Sequence, residues 1–317
     1  MIGQWKQFLL DQALEWGVPG TGEWSFLLHN NYQPHYSNLN LLWFHNGDQF
    51  PRVVTKVYRE PRILEREFEN LKQAFSRAPK WVPKPLYLGS QGGFWTLWME
   101  GVPGLPFHAA HDYAPATLRS MVEMLISMHA GLRQPLEKSD GNRYRRSVLS
   151  PLEMLAQFEE SDLIREGCAR IAAGATVDWI NSLPMIPQHG DLFAGNLLRY
   201  RRKWHVIDWE SFGAVDLPFY DLFTLLLSLL RAGGEFPEQW DRSLLRQVPA
   251  LIECYARGLG LSSADVRLLL PLTLANWFHL QWSDGRHQFT VRMFATIRHY
   301  FENSDAWEAV FISGLER

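Results

Sequence analysis

Residues 188–210 read QHGDLFAGNLLRYRRKWHVIDWE, and this stretch limits what the chain can fold into more than any other. Two apolar runs, one after Asn196 and one ending in Val206-Ile207-Asp208, flank a basic turn that holds Arg199, Arg201, Arg202 and Lys203. Such a pattern predicts a hairpin capped by basic residues. Ahead of it stands His189-Gly190-Asp191. Asn196 follows Asp191 by five positions, and Asp208 follows Asn196 by twelve, a hairpin's length.

The spacing suits phosphoryl transfer. A transferring phosphoryl group carries dispersed negative charge, so it needs charge neutralisation and in-line positioning more than covalent help. In that chemistry Asp191 accepts the proton of the attacking hydroxyl, and Asn196 and Asp208 hold Mg²⁺ against the nucleotide phosphates. H-x-D-x-x-x-x-N alone fixes only three positions and arises readily in loops. The strand-borne Asp208 makes a plain solvated turn a poor account of the whole.

At 317 residues, 46% hydrophobic and 14% aromatic, the chain is long and apolar enough for one large domain or two lobes. A formal charge of −3 and a pI near 6.4 give no electrostatic case for a nucleic-acid partner or an anionic membrane. Cys168 and Cys254 are far apart, which supports neither a disulfide framework nor a thiolate metal site, and both read as buried thiols. The N-terminus is amphipathic and lacks a cleavage site, and LFTLLLSLL is too short to span a bilayer. The expectation is a soluble cytoplasmic protein without a membrane partner.

Apolar residues at helical spacing predict a docking helix from Trp5 to Trp16. Strand-like runs follow at Trp24 to Leu28, Leu39 to Phe44 and Arg52 to Tyr58, then a helix from Ile63 to Phe75 and two more strands, the last ending at Gly101. Lys56 sits within the β-branched run VVTKVY. A strand lysine braced by a helix glutamate can aim an ammonium at nucleotide phosphates, with Glu67 the expected partner and Glu69 the reserve. VPGLPF reads as the lobe boundary, giving an N-lobe of residues 1–101 and a C-lobe of 102–317 with a hinge near 99–104. Glu100 and Val102 would there offer main-chain groups to a base edge. His108 and His111 lack further ligands and are discarded as a metal site.

Thr117 to Leu132 predicts a core helix on which Met128 and His129 read as packing. Residues 133–187 hold a polar, Arg-rich linker and two or three helices. Helices are expected at Leu244 to Gly258, Ser263 to Trp282 and Arg292 to Phe311. Asp221 stands at the start of an apolar helix, where a charge that complements the macrodipole would suffice. Trp277, Trp282, Asp284 and His287 gather around one helix end, where core packing outweighs a pocket lining.

HGDLFAGNLL, WHVIDWESFG and DLPFYDLFTLLL together resemble the aminoglycoside phosphotransferase and choline kinase group of small-molecule kinases. VVTKVYRE, REFENLKQAF, VPKPLYLG, WMEGVPG and SMHAGL extend the likeness over roughly residues 50 to 225. The resemblance implies an α+β, bilobal protein-kinase-like fold, with a small antiparallel-sheet N-lobe bearing one key helix and a larger, mostly helical C-lobe. It implies ATP or GTP as donor, Mg²⁺, and a small-molecule hydroxyl as acceptor, such as an amino alcohol, an aminoglycoside or a sugar. Asp191 matches the base, Asn196 and Asp208 the metal ligands, and Lys56 with Glu67 the phosphate-positioning pair. Asp221 matches the aspartate that braces the catalytic loop, and His189 a loop-scaffolding position.

Two departures stand out. NNYQPHYSN has no glycine where the family often places a phosphate-covering loop, so cradling would fall to backbone N–H groups at Ser37 or Asn38. Phe193-Ala194-Gly195-Asn196 keeps the glycine of the usual H-P-G-N turn and loses the proline. Asp221 follows Asp208 by only thirteen positions, with no A-P-E, which leaves no room for a protein kinase's activation loop. The alternative within the same fold is a catalytically weak or inactive nucleotide-binding regulator.

Overall fold

The computed structural model describes residues 2–33, 36–107, 113–135, 141–158, 161–234, 236–283, 285 and 287–312, with the backbone alone at 30–33, 36–38, 141, 233, 263 and 287–292. The chain folds as two units, residues 1–107 with 196–212 and residues 108–195 with 213–317.

The first unit opens with α1 (Ile2–Trp16), then β1 (Trp24–Gln33), β2 (Tyr36–His45), β3 (Val53–Tyr58), α2 (Pro61–Arg77), β4 (Pro85–Gln91) and β5 (Phe94–Glu100). The strands form an antiparallel sheet in the order β1-β2-β3-β5-β4. Trp5, Leu9 and Trp16 of α1 pack with Trp24, Leu41, Trp43, Val53, Val57 and Trp98. Two of these tryptophans satisfy their N–H groups inside the core, Trp43 on Thr55 Oγ1 at 2.9 Å and Trp98 on Thr96 Oγ1 at 3.0 Å. Since Val53 and Val57 serve that core, strand alternation turns Lys56 to the opposite face. α2 buries Leu64, Glu67, Leu71 and Ala74, a single stripe at helical spacing.

β1 and β2 run further than the apolar pattern predicts. Asn31 pairs with Asn38 and Tyr32 with Ser37, so most of NNYQPHYSN is strand, and the tip at 34–35 lies outside the described residues. Backbone ladders need no apolar side chains, so hydropathy misses such extensions. The linker after β5 also contains a strand. β6 (Leu105–Pro106) pairs with β7 (Leu197–Tyr200), which pairs in turn with β8 (Lys203–Val206). Gly104, at φ +144°, permits this, because a Cβ there would stand 3.0 Å from that of Leu198. Arg201 and Arg202 make the predicted basic turn, Arg201 in the left-handed region at φ +56°.

The second unit is helical: α3 (Pro115–Leu132), α4 (Gly141–Tyr144), a π-helical turn (Arg145–Leu149), α5 (Ser150–Phe158), α6 (Asp162–Gly174), α7 (Val177–Ser182), α8 (Tyr220–Leu230), α9 (Arg242–Leu245), α10 (Val248–Leu259), α11 (Val266–Ser283), α12 (His287–Glu302) and α13 (Ser304–Phe311). The expected last helix is thus two, parted at Asn303. The Arg-rich linker is also more than a linker. Arg143 is buried, and its guanidinium donates to the carbonyls of Ile180, Leu183, Pro184 and Asp216 and to the Asp216 carboxylate. A guanidinium can be buried when its donors are satisfied in this way. Cys168 is buried, which pushes its thiol up to about 12, whereas Cys254 is only half-buried. Among the described residues no helix is long and apolar enough to cross a membrane.

Candidate active site

In the first unit, Lys56 Nζ donates to Glu67 Oε1 at 2.5 Å and to Asp208 Oδ1 at 2.6 Å. β3 supplies the lysine, α2 the glutamate, and the turn after β8 the aspartate. Glu69, the reserve partner, instead pairs with Lys72 on the surface at 3.1 Å. Burial alone would lower the Lys56 ammonium, but the charges of Asp208 and Glu67 outweigh it and hold it well above its usual range. Burial pushes Glu67 up to about 7; Lys56 pulls it down, while Asp208 and Glu210 push it further up.

The cluster has more negative groups than Lys56 can balance. Among the described residues, Glu67, Asp208 and Glu210 bring carboxylate oxygens within 4.8 Å of one another. Glu67 Oε2 is buried without a hydrogen-bond partner. Both facts fit a hard divalent cation, which takes oxygen ligands and supplies the missing positive charge. Glu210, two positions after Asp208, was not singled out by the sequence pattern. Asp208 itself adopts φ +71°, a conformation uncommon outside glycine and concentrated at functional sites. Asn196 is buried, and its carbonyl accepts from Ile207 N–H at 3.0 Å, so the hairpin base sets Asn196 beside the residue preceding Asp208.

At the end of β5, the Glu100 N–H donates to the Lys84 carbonyl and the Gly101 N–H to Arg52. The Glu100 amide is thus engaged within the sheet. Val102 is half-buried.

In the second unit, the His189-Gly190-Asp191 loop hangs on Asp221. Its carboxylate accepts from His189 N–H at 2.7 Å and from Gly190 N–H at 3.1 Å, while Asp221 N–H donates to Gln188 Oε1 at 3.0 Å. His189 is fully buried, and its Nδ1 accepts from Asp191 N–H at 3.3 Å. Asp191 is half-buried, and its charge helps raise the Tyr220 hydroxyl, whose shift comes first from burial. Tyr220 donates to the Gly190 carbonyl at 3.3 Å. Ala194 N–H donates to Ser228 Oγ at 3.1 Å, fixing the turn that lacks its proline.

His129 belongs to this brace and is more than packing. Its Nε2 lies 3.1 Å from Asp221 Oδ2 and its Nδ1 2.6 Å from the Tyr255 hydroxyl, all three side chains fully buried. A carboxylate only accepts, so Nε2 carries a proton there. One signal was available, the position of His129 inside SMHAGL. Tyr255 gave none. Replacing Asp221 with Asn sets an amide donor against at least one of these buried donors and should cost about 1–3 kcal/mol. An unchanged midpoint in chemical denaturation would refute that brace.

At the helix end where core packing was expected to outweigh a pocket lining, Trp282 packs against Phe158 and Phe278, and the Arg231 guanidinium lies 5.6 Å from the Trp277 ring. Asp284, His108 and His111 lie outside the described residues, and His287 is described in its backbone alone.

The sequence model of the phosphotransferase enzyme family matches residues 35–257. The chain belongs to that family. Thiamine kinase of Escherichia coli (strain K12) is 25% identical over 266 residues, covering 78% of this chain and 81% of the relative. Among solved structures, choline kinase from Cryptosporidium parvum Iowa II superposes with a TM-score of 0.61 at 12% identity, covering 95% of each chain. A thermostable mutant of the aminoglycoside phosphotransferase APH(4)-Ia, in ternary complex with ADP and hygromycin B, gives 0.57 at 12% identity over 93% of this chain and 97% of that one. The likeness to these structures is one of fold, an antiparallel-sheet unit and a helical unit of the protein-kinase-like kind.

Proposed function

We propose that this phosphotransferase moves the γ-phosphoryl group of ATP, with GTP as the alternative donor, to a hydroxyl of a small molecule. The observation that carries the reading is the buried Lys56, bonded at once to Glu67 of α2 and to Asp208 of the hairpin. An ammonium fixed by two carboxylates is pre-aimed, so it meets the nucleotide phosphates without reorganisation.

Asp191 acts as the base toward the acceptor hydroxyl, on a loop whose amides are locked by Asp221. His189 and Asp221 hold that loop rigid. Asn196 and Asp208, joined by Glu210, would hold Mg²⁺, whose contribution when bound is to neutralise phosphate charge. Residues 1–101 form the nucleotide-binding lobe, with main-chain groups at Glu100 and Val102 toward the base, and residues 102–317 carry the catalytic loop and the acceptor-binding helices. The relatives' named substrates, thiamine and choline, place an amine or ammonium alongside the phosphorylated hydroxyl, and amino alcohols lead the acceptor classes here for that reason.

The test is a Mg·ATP consumption screen across thiamine, choline, ethanolamine, other amino alcohols, aminoglycosides and sugars, with the Asp191→Ala protein as blank. Acceptor-dependent ATP loss in the wild type alone is expected. ATP loss equal to the blank with every acceptor, despite measurable Mg·ATP binding, would favour the inactive nucleotide-binding regulator.

A further inference from the structure

We propose that Asn70 is a positioning residue for the cation-binding turn, an inference that rests on the metal reading of Asp208 and Glu210 above. Asn70 lies one helical turn after Glu67 on α2, so both project from the same side of the helix. Its amide nitrogen donates to the Glu210 carbonyl at 2.9 Å and to the Trp209 carbonyl at 3.3 Å. Those carbonyls belong to the two residues directly after Asp208.

The turn needs such a hold. Asp208 is left-handed at φ +71°, a conformation that persists only where the surroundings over-determine it. Three side chains contribute to this. Trp209 is buried and its indole donates to the Val206 carbonyl at 2.9 Å, Lys56 grips the Asp208 carboxylate at 2.6 Å, and Asn70 grips the peptide units beyond it. The first two anchors fix a ring and a side chain, whereas Asn70 acts on the main chain that sets the spacing between Asp208 and Glu210. α2 thereby carries two fasteners, Glu67 to the lysine and Asn70 to the turn, and ties the helix to both carboxylates. Asn70 itself touches neither nucleotide nor cation in this account. Its effect is that of an outer partner orienting ligands, whose loss typically weakens metal affinity about 10- to 100-fold.

The experiment uses the full chain and titrates Mn²⁺ in the presence of AMP-PNP, followed by electron paramagnetic resonance. Asn70→Ala and the near-isosteric Asn70→Leu are expected to weaken Mn²⁺ about tenfold or more, with thermal melting in metal-free buffer showing a folded protein. Asn70→Gln, which keeps the amide donors, is expected to recover part of the loss. Once an acceptor is identified, excess Mg²⁺ should restore kcat in Asn70→Ala but not in Asp208→Asn, a split that general loosening of the fold would not produce. Wild-type Mn²⁺ affinity in folded Asn70→Ala and Asn70→Leu overturns this inference alone. A wild-type protein that binds no Mn²⁺ with nucleotide, or binds it no better than Asp208→Asn, overturns the metal reading and this inference with it.

Discussion

Asp191→Ala is expected to lower acceptor-dependent turnover by about 10²–10⁴-fold, while Mg·ATP affinity stays within a few-fold of wild type. The asymmetry follows from placement. Asp191 sits on the loop held by Asp221 and His189 in the helical unit, whereas Lys56, Glu67, Asp208 and Glu210 gather in the sheet unit. The amides of His189, Gly190 and Asp191 itself anchor the loop. Truncation at Cβ removes the carboxylate and leaves those three amide bonds in place. Steady-state kinetics and calorimetry check the two halves separately, and turnover unchanged from wild type would sink the base assignment.

The second large effect is expected at Asp208. Asp208→Asn keeps a residue that tolerates the left-handed backbone and an oxygen that can still accept from Lys56, and it removes the charge. Mg²⁺-dependent ATP affinity should fall at least about tenfold, because in the proposed site the group lost would be a direct ligand rather than an outer one. Metal-free stability should fall, because the buried Lys56 ammonium loses the largest of the charges that hold it. Asp208 also helps push buried Glu67 up to about 7, so easier ionisation of Glu67 next to Lys56 returns part of that loss. Calorimetry with and without Mg²⁺, beside thermal melts in chelator, reads both. Undiminished Mg·ATP affinity would count against the ligand role.

Much of this was legible because it is local. The hairpin is written as two apolar runs about a basic turn, and its base necessarily sets Asn196 beside Ile207. α2 is written as a helical stripe, and Glu67, the expected partner ahead of Glu69, is the one that the fold buries against Lys56. The NNYQPHYSN stretch misled because polar residues were read as loop, while the backbone ladder continues through them.

By itself, then, the sequence determined the strand and helix periods and the spacing of Asp191, Asn196 and Asp208, features carried by neighbours along the chain. Tertiary structure alone decided the brace and the balance of charge. Lys56 meets a carboxylate 152 positions away, Asn70 meets a carbonyl 140 positions away, and His129 joins Asp221 and Tyr255 across 92 and 126 positions. Contacts of such separation leave no period in the chain, because they arise from how faces pack. Residues 188–210 thus announce phosphoryl transfer, while what holds their geometry comes from β3, α2, α3, α8 and α10.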